Sequence, residues 1–251
     1  MKEGKIAFGC ISHIPSTALI EIMGLAGHDF VMIDTEHGLY TIDSAGELIR
    51  TAQGVNLTPV VRVAVNDSTL ISRALDLGAQ GIIVPHVSTK DDAAKAVKAS
   101  KYGPAGRGAC PLIRANKYGL DDWAGYEERA NAETLVFPLI EDLEGADNIE
   151  DIVSVEGING IYLGPFDMSV SAGYKGDVKH TEIHRALDRI LAACREKAMP
   201  VMHSRYDVQD IEKWVKKGVR LFLQTGDSLT FARACRQFLD LVSPFRNRVI
   251  I

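Results

Sequence analysis

The stretch His28–Leu39, HDFVMIDTEHGL, is an apolar run that ends abruptly in Asp34, Glu36 and His37. Three further apolar runs end in single charged groups: TPVV in Arg62, TLVFPLI in Glu141 and GIYLGPF in Asp167. When several strands each release a charged side chain at the carboxyl end, a parallel barrel with its site on that rim brings them together most simply. Working outward, a unit of helix, glycine and strand returns four times: IMGLAGHDFVMIDTEH, LDLGAQGIIVPHV, IVSVEGINGIYLGPFD and WVKKGVRLFLQTGD. In these units Gly27, Gly78, Gly157 and Gly218 stand where a helix end needs a left-handed residue. KIAFGCIS, TPVVRVA, TLVFPLIE and PVMHSRY are looser copies and bring the strands to eight. The expected fold is a (β/α)8 TIM barrel forming a single domain over residues 1–251.

The strand runs are continuous in apolar character, as parallel strands packed on both faces require. Helical periodicity predicts helices at 17–26, 43–53, 67–77, 90–99, 145–154, 181–197, 207–217 and 228–241. Asp43, Asp67, Thr181 and Asp207 suit their N-caps. Residues 101–131 fit neither period, and the KYGPAGRGACP opening reads as a long loop on the selective face. The rival is an open doubly wound sheet. It lacks its fingerprint here, because neither GxGxxG nor GxxxxGK[ST] occurs.

At 251 residues the chain matches one barrel of about 250. Hydrophobic residues at 46% and charged ones at 24% allow a large core. A net charge of −5 without a basic block gives no footprint for nucleic acid or an anionic membrane. No run of 18 uncharged apolar residues occurs, so a cytoplasmic enzyme is expected. Cys10, Cys110, Cys194 and Cys235 form no CxxC pair and are read as small buried hydrophobes.

Glu141 and Asp167 end different strands and offer oxygen donors only. With water and a bidentate substrate they complete an octahedron around a hard cation such as Mg2+ or Mn2+. The bland alternative is a helix cap or a surface lysine partner for each. Arg62, aimed from an apolar strand into the barrel mouth, suits a clamp on a carboxylate or a developing enolate oxygen. Its alternative is an internal salt bridge to Asp34 or Glu36, and both readings can hold together. His37 lies three residues beyond Asp34, close enough in a tight turn for that carboxylate to orient the imidazole. His86 in IIVPHV is open between rim contact and packing. His180 and His184 look like an exposed helix start and carry no assigned chemistry. Lys5 stands at the entrance of the first strand and the other lysines lie in loops or on helices, which disfavours a Schiff base, and no GxSxG elbow supports nucleophilic hydrolysis.

FVMIDTEHG, PVVRV with ND, LDLGAQGIIVPHV, PAGRG, PLIED and GPFDMS together resemble the HpcH/HpaI family of metal-dependent pyruvate aldolases over nearly the whole chain. The resemblance implies reversible retro-aldol cleavage of a 4-hydroxy-2-oxo acid to pyruvate and an aldehyde through a metal-stabilised enolate. The substrate would be of the 2-keto-3-deoxy sugar acid or 4-hydroxy-2-oxo-dioate type. It further implies that Glu141 and Asp167 bind Mg2+ or Mn2+, with Co2+ a further candidate. Arg62 would stabilise the enolate, and His37, supported by Asp34, would transfer protons. The Gly164, Pro165 and Phe166 turn would hold the pyruvate carboxylate. A homo-oligomer, trimer or hexamer, with the C-terminal helix and tail exchanged between subunits is implied as well.

Three departures stand out. Leu139 replaces a glutamine common in relatives, Phe166 replaces a small residue, and the loop YGPAGRGACPLIRANKY is distinctive. They leave the acceptor aldehyde open. Two rival readings are a lyase acting on an acyl-CoA thioester, of the citrate lyase β or malyl-CoA type, and a barrel that binds a keto acid without catalysis. The first lacks its basic nucleotide surface and C-terminal extension; Leu139 is the feature that encourages the second.

Overall fold

The computed structural model describes residues 5–204 and 207–245. Its strands are β1 (Ala7–Ser12), β2 (Phe30–Asp34), β3 (Thr58–Arg62), β4 (Gly81–Val84), β5 (Leu135–Ile140), β6 (Ile161–Leu163), β7 (Val201–His203) and β8 (Val219–Gln224). Each pairs in parallel with the next, and β8 closes on β1, so the sheet is a closed (β/α)8 barrel. The helices are α1 (Thr17–Leu25), α2 (Ile42–Gly54), α3 (Ser68–Asp76), α4 (Lys90–Ser100), α5 (Trp123–Glu133), α6 (Leu143–Asp147), α7 (Ile149–Ile152), α8 (Pro165–Ser171), α9 (Thr181–Glu196), α10 (Ile211–Lys217) and α11 (Asp227–Val242). Gly27, Gly78 and Gly218, directly after α1, α3 and α10, have φ between 94° and 108°, the left-handed turn expected at these helix ends. Gly157 has φ 98° but lies in the loop beyond α7, which ends at Ile152, contrary to its expected place at a helix end.

Side chains alternate across a strand, and this period sorts the core into two clusters. Phe30, Met32, Val60, Ile83, Phe137, Leu139, Tyr162, Met202, Leu221 and Leu223 fill the barrel interior. Val31, Ile33, Val61, Val136 and Ile140 point outward, in one cluster with the helix faces. Continuing the inward parity of β2, β3 and β5 by one step places Asp34, Arg62 and Glu141 at the carboxyl rim. The same parity in β1, where Ala7 and Ile11 pack inside, extends to His13.

Several local expectations are corrected. The 101–131 segment holds a 3-10 turn, Arg114–Gly119, and most of α5. Tyr126 is the one buried residue of α5, which packs through a cluster of Tyr102, Trp123 and Tyr126, so the helix carries no apolar stripe to read. The single helix at 145–154 is two pieces that meet at Asn148, and α8 was not anticipated. Asp67 caps α3 by accepting from the Thr69 and Leu70 amides. Asp43 instead sits in the first turn of α2 behind Thr41, and Thr181 follows the His180 cap of α9. Asp207 precedes a 3-10 turn without a side-chain capping bond. Cys10 and Cys194 are buried as expected, and burial pushes both thiols up to about 12. Cys110 and Cys235 are exposed, contrary to the reading of all four as core residues. The C-terminal tail 246–251 lies outside the described residues.

Candidate active site

Asp34 and Arg62 are register partners on β2 and β3, so their inward side chains meet at the rim. Arg62 Nε donates to Asp34 Oδ1 at 2.9 Å, and a terminal nitrogen donates to Oδ2 at 2.5 Å. The other terminal nitrogen lies 3.0 Å from Glu36 Oε2. This planar fork suits a guanidinium and leaves a lysine no equivalent. Asp34 is wholly buried. Burial alone would raise its carboxyl; hydrogen bonds from His13 and Arg62, with the Arg62 charge, outweigh that and hold it well below the usual carboxylate range. Glu36 goes the other way, because burial exceeds the pull of Arg62 and pushes its carboxyl up.

His37 is not oriented by the Asp34 carboxylate through its ring. Its backbone amide donates to Asp34 Oδ1 at 3.2 Å, beside that of Glu36 at 3.1 Å. The ring is 65% exposed and stands 4.0 Å from Glu36. A tight turn closed by the Gly38 amide on the Asp34 carbonyl curls the amides onto the carboxylate and turns the imidazole away. The imidazole that does reach Asp34 is His13, with Nε2 3.0 Å from Oδ2. Sequence reasoning missed it, although the inward parity of β1 carries the signal.

Glu141, buried at the end of β5, accepts from the His86 amide at 2.7 Å, and His86 Nδ1 lies 2.9 Å from the same oxygen. His86 Nε2 approaches Glu36 at 3.5 Å, so this ring spans two carboxylates on the rim. Its φ of 55° is unusual for a side chain of this size and marks a tightly determined loop. Burial raises the Glu141 carboxyl, and the nearby negative charges of Glu36 and Asp167 add to the effect. Asp167 is exposed in the first turn of α8, two residues beyond Pro165. Gly164 is crowded against Glu141: a Cβ there would come within 2.5 Å of the Glu141 Cβ. Leu139 is 2% exposed and forms part of the floor with its register partner Tyr162. Phe166 packs over Gly176, in the loop that leads to α9.

Asp34 and Glu36 thus flank the Arg62 guanidinium, and Glu141 links this group to Asp167, because it feels the charges of both Glu36 and Asp167. Among the described residues no three His, Cys, Asp or Glu side chains form a ready metal cage. A pair of carboxylates is nevertheless the donor set expected for a hard cation that keeps water and substrate ligands. Burial is the main cause that raises Glu141, and a cation held by Glu141 and Asp167 would offset both it and the smaller push from Asp167, so the residues present fit such an ion. A separate wide cleft, lined by Gln53, Arg107, Arg114 and Arg129, opens on the opposite face of the barrel, at the amino ends of β3 and β5. The 101–131 segment lies there, between α4 and β5, and not on the selective face as expected.

A family model described as HpcH/HpaI aldolase/citrate lyase matches residues 8–234. The chain belongs to this family. Among HpcH/HpaI relatives, a 5-keto-4-deoxy-D-glucarate aldolase of Citrobacter koseri is 30% identical over 236 residues, covering 94% of this chain and 91% of the relative. An HpcH/HpaI family protein from Burkholderia cenocepacia has a solved structure with a TM-score of 0.89 and 30% identity, covering 96% of this chain and 95% of its own. The structure of the citrate synthase SbnG also matches at 0.89 and 30% identity, over 98% of this chain and 97% of that one. Citrate lyase structures at 15% identity share the fold.

Proposed function

We propose that this protein is a carbon–carbon lyase that cleaves a 4-hydroxy-2-oxo acid reversibly to pyruvate and an aldehyde, with a divalent cation held by Glu141 and Asp167. The observation that carries this reading is the charge pattern of the rim: a buried guanidinium clamped by Asp34 and Glu36, with Glu141 near enough to Glu36 and Asp167 to feel their charges. Family membership and the aldolase relatives support the same chemistry. The ion, when bound, supplies a Lewis acid for the keto oxygen.

The protein side chains have separable tasks. Arg62 keeps a fixed positive charge beside the oxygen that turns negative as the C3–C4 bond breaks, and fixed charge of this kind lowers a transition state without reorganisation. The Gly164–Phe166 turn at the start of α8, packed against Glu141 through Gly164, receives the carboxylate of the pyruvate unit. His37, on the mouth, exchanges protons with the substrate. His86 holds Glu141 in place through its amide and ring. Leu139 makes the floor apolar, which suits the pyruvate methyl group better than a polar fragment.

Activity is expected to vanish in EDTA and to return with Mg2+, Mn2+ or Co2+, as read by a coupled pyruvate assay over a panel of oxo acids. Borohydride with pyruvate should leave no covalent adduct. Turnover that survives chelation, or a trapped adduct, would remove this reading. Citrate formation from oxaloacetate and acetyl-CoA belongs in the same panel, because a 30% identical relative is a citrate synthase.

Assembly follows the exposed apolar side chains of α11. Asp227 is the one buried residue of that helix among those described, while Phe231, Phe238 and Leu241 are each more than 60% exposed. An apolar face of this kind marks a contact surface, and exchange of α11 between subunits of a trimer or hexamer covers it. Light scattering should give three or six times the subunit mass, and Phe238→Asp with Leu241→Asp should lower it. A monodisperse monomer would end this part of the proposal.

A further inference from the structure

His13 belongs to none of the assigned roles, yet it is built into the site more firmly than any other imidazole on the rim. Its amide donates to Asp227 Oδ1 at 3.0 Å and its carbonyl accepts from the Leu39 amide at 2.9 Å, so the backbone is fixed from α11 and from the loop after β2. The ring stands over Gly226, where an added Cβ would come within 2.4 Å of Nδ1. With φ of −58° at Gly226, alanine would suit the backbone, so the glycine is required by the ring rather than by the turn. The side chain is 27% exposed, whereas those of His37 and His86 are 65% and 69% exposed.

We propose that His13 is a positioning residue that acts through Asp34 on Arg62 and makes the lyase reaction depend on the protonation of its ring. This rests on the functional reading above. Asp34 divides its two oxygens: Oδ1 serves Arg62 Nε and the amides of Glu36 and His37, while Oδ2 is shared by Arg62 and His13. An ionised carboxylate only accepts, so Nε2 of His13 carries the hydrogen between them. When the ring is also protonated on Nδ1, its charge balances Asp34, and more of the Arg62 charge is expressed toward the substrate. When the ring is neutral, Asp34 claims that charge. The charged and titratable groups around the ring are Asp34 from β2, Arg62 from β3 through Asp34, Asp227 from α11, and Tyr40, whose hydroxyl accepts from the Asp34 amide and donates to the Ser12 carbonyl.

Activity therefore falls as pH rises and the ring loses its Nδ1 proton. The test is the pH profile of kcat and KM for metal-loaded wild type, His13→Gln, His13→Ala and Gly226→Ala. Glutamine keeps a donor for Oδ2 without titrating, so this limb should vanish while KM for the oxo acid changes less than twofold. Alanine should lower kcat roughly tenfold, the size of one lost charge-assisted hydrogen bond, and Gly226→Ala should lose the limb by displacing the ring. A limb that persists unchanged in His13→Gln overturns the proposal. A second measurement needs no turnover: the NMR titration of ring-labelled His13, assigned by its absence in His13→Gln, should move to lower pH in Asp34→Asn. An unmoved titration likewise overturns it. Failure of wild type to turn over any oxo acid, with the NMR shift present, counts against the lyase reading and not against the His13–Asp34–Arg62 coupling.

Discussion

Arg62→Ala is expected to lower the free energy of unfolding by about 3–5 kcal/mol, because Asp34 and Glu36 remain buried without their counter-charge. For a chain of this length that corresponds to a fall in Tm of roughly 6–20 °C. In the same variant kcat should drop by about 10^2 to 10^3, the usual loss when a preorganised stabiliser of developing negative charge is removed. Arg62→Lys keeps the charge but not the fork, so it should recover part of the stability and little of the rate. The acid dependence of stability changes too. Asp34 has its carboxyl depressed in the folded state, so its contribution is present above the ordinary carboxylate value of about 4 and is lost as pH falls toward the folded value. Without Arg62 the depression shrinks, and the slope of unfolding free energy against pH below about 4 flattens. Calorimetry across this range reads both effects; an unchanged Tm would mean that the guanidinium is not the counter-ion of this pair.

The second large effect separates function from stability. Glu141→Gln is expected to abolish metal-dependent turnover, by about 10^2 or more in kcat, while Tm stays the same or rises. Its oxygen still accepts from the His86 amide, and the variant removes a buried charge that already faces Glu36 and Asp167. Asp167→Asn should lose activity similarly with Tm moved by about 1–2 °C or less, since its side chain is exposed. Isothermal titration with Mn2+ should show weakened binding in both variants. Retained turnover and metal affinity in either one would refute the assignment of the carboxylate pair.

The period of the strands made the barrel and three of the rim residues readable from sequence. Asp34, Arg62 and Glu141 continue the inward parity of Phe30 and Met32, of Val60, and of Phe137 and Leu139, each in its strand. What parity cannot report is where the chain goes once pairing stops. The turn after Asp34 points the His37 amide, not its ring, at the carboxylate, and such a choice is made by dihedrals that a residue list does not contain. His13 was overlooked for a related reason: the apolar run ends at Ser12, and a lone histidine before Ile14 and Pro15 looks like loop until Asp34 is seen beneath it. The α5 helix escaped notice because it packs through Tyr126 rather than through a periodic face.

The interior beneath the charged ring is closed by Met32, Ile83, Phe137, Leu139, Met202 and Leu223, each no more than 2% exposed. For the proposed reaction, an interior stoppered in this way leaves the rim as the side by which both fragments would enter and leave.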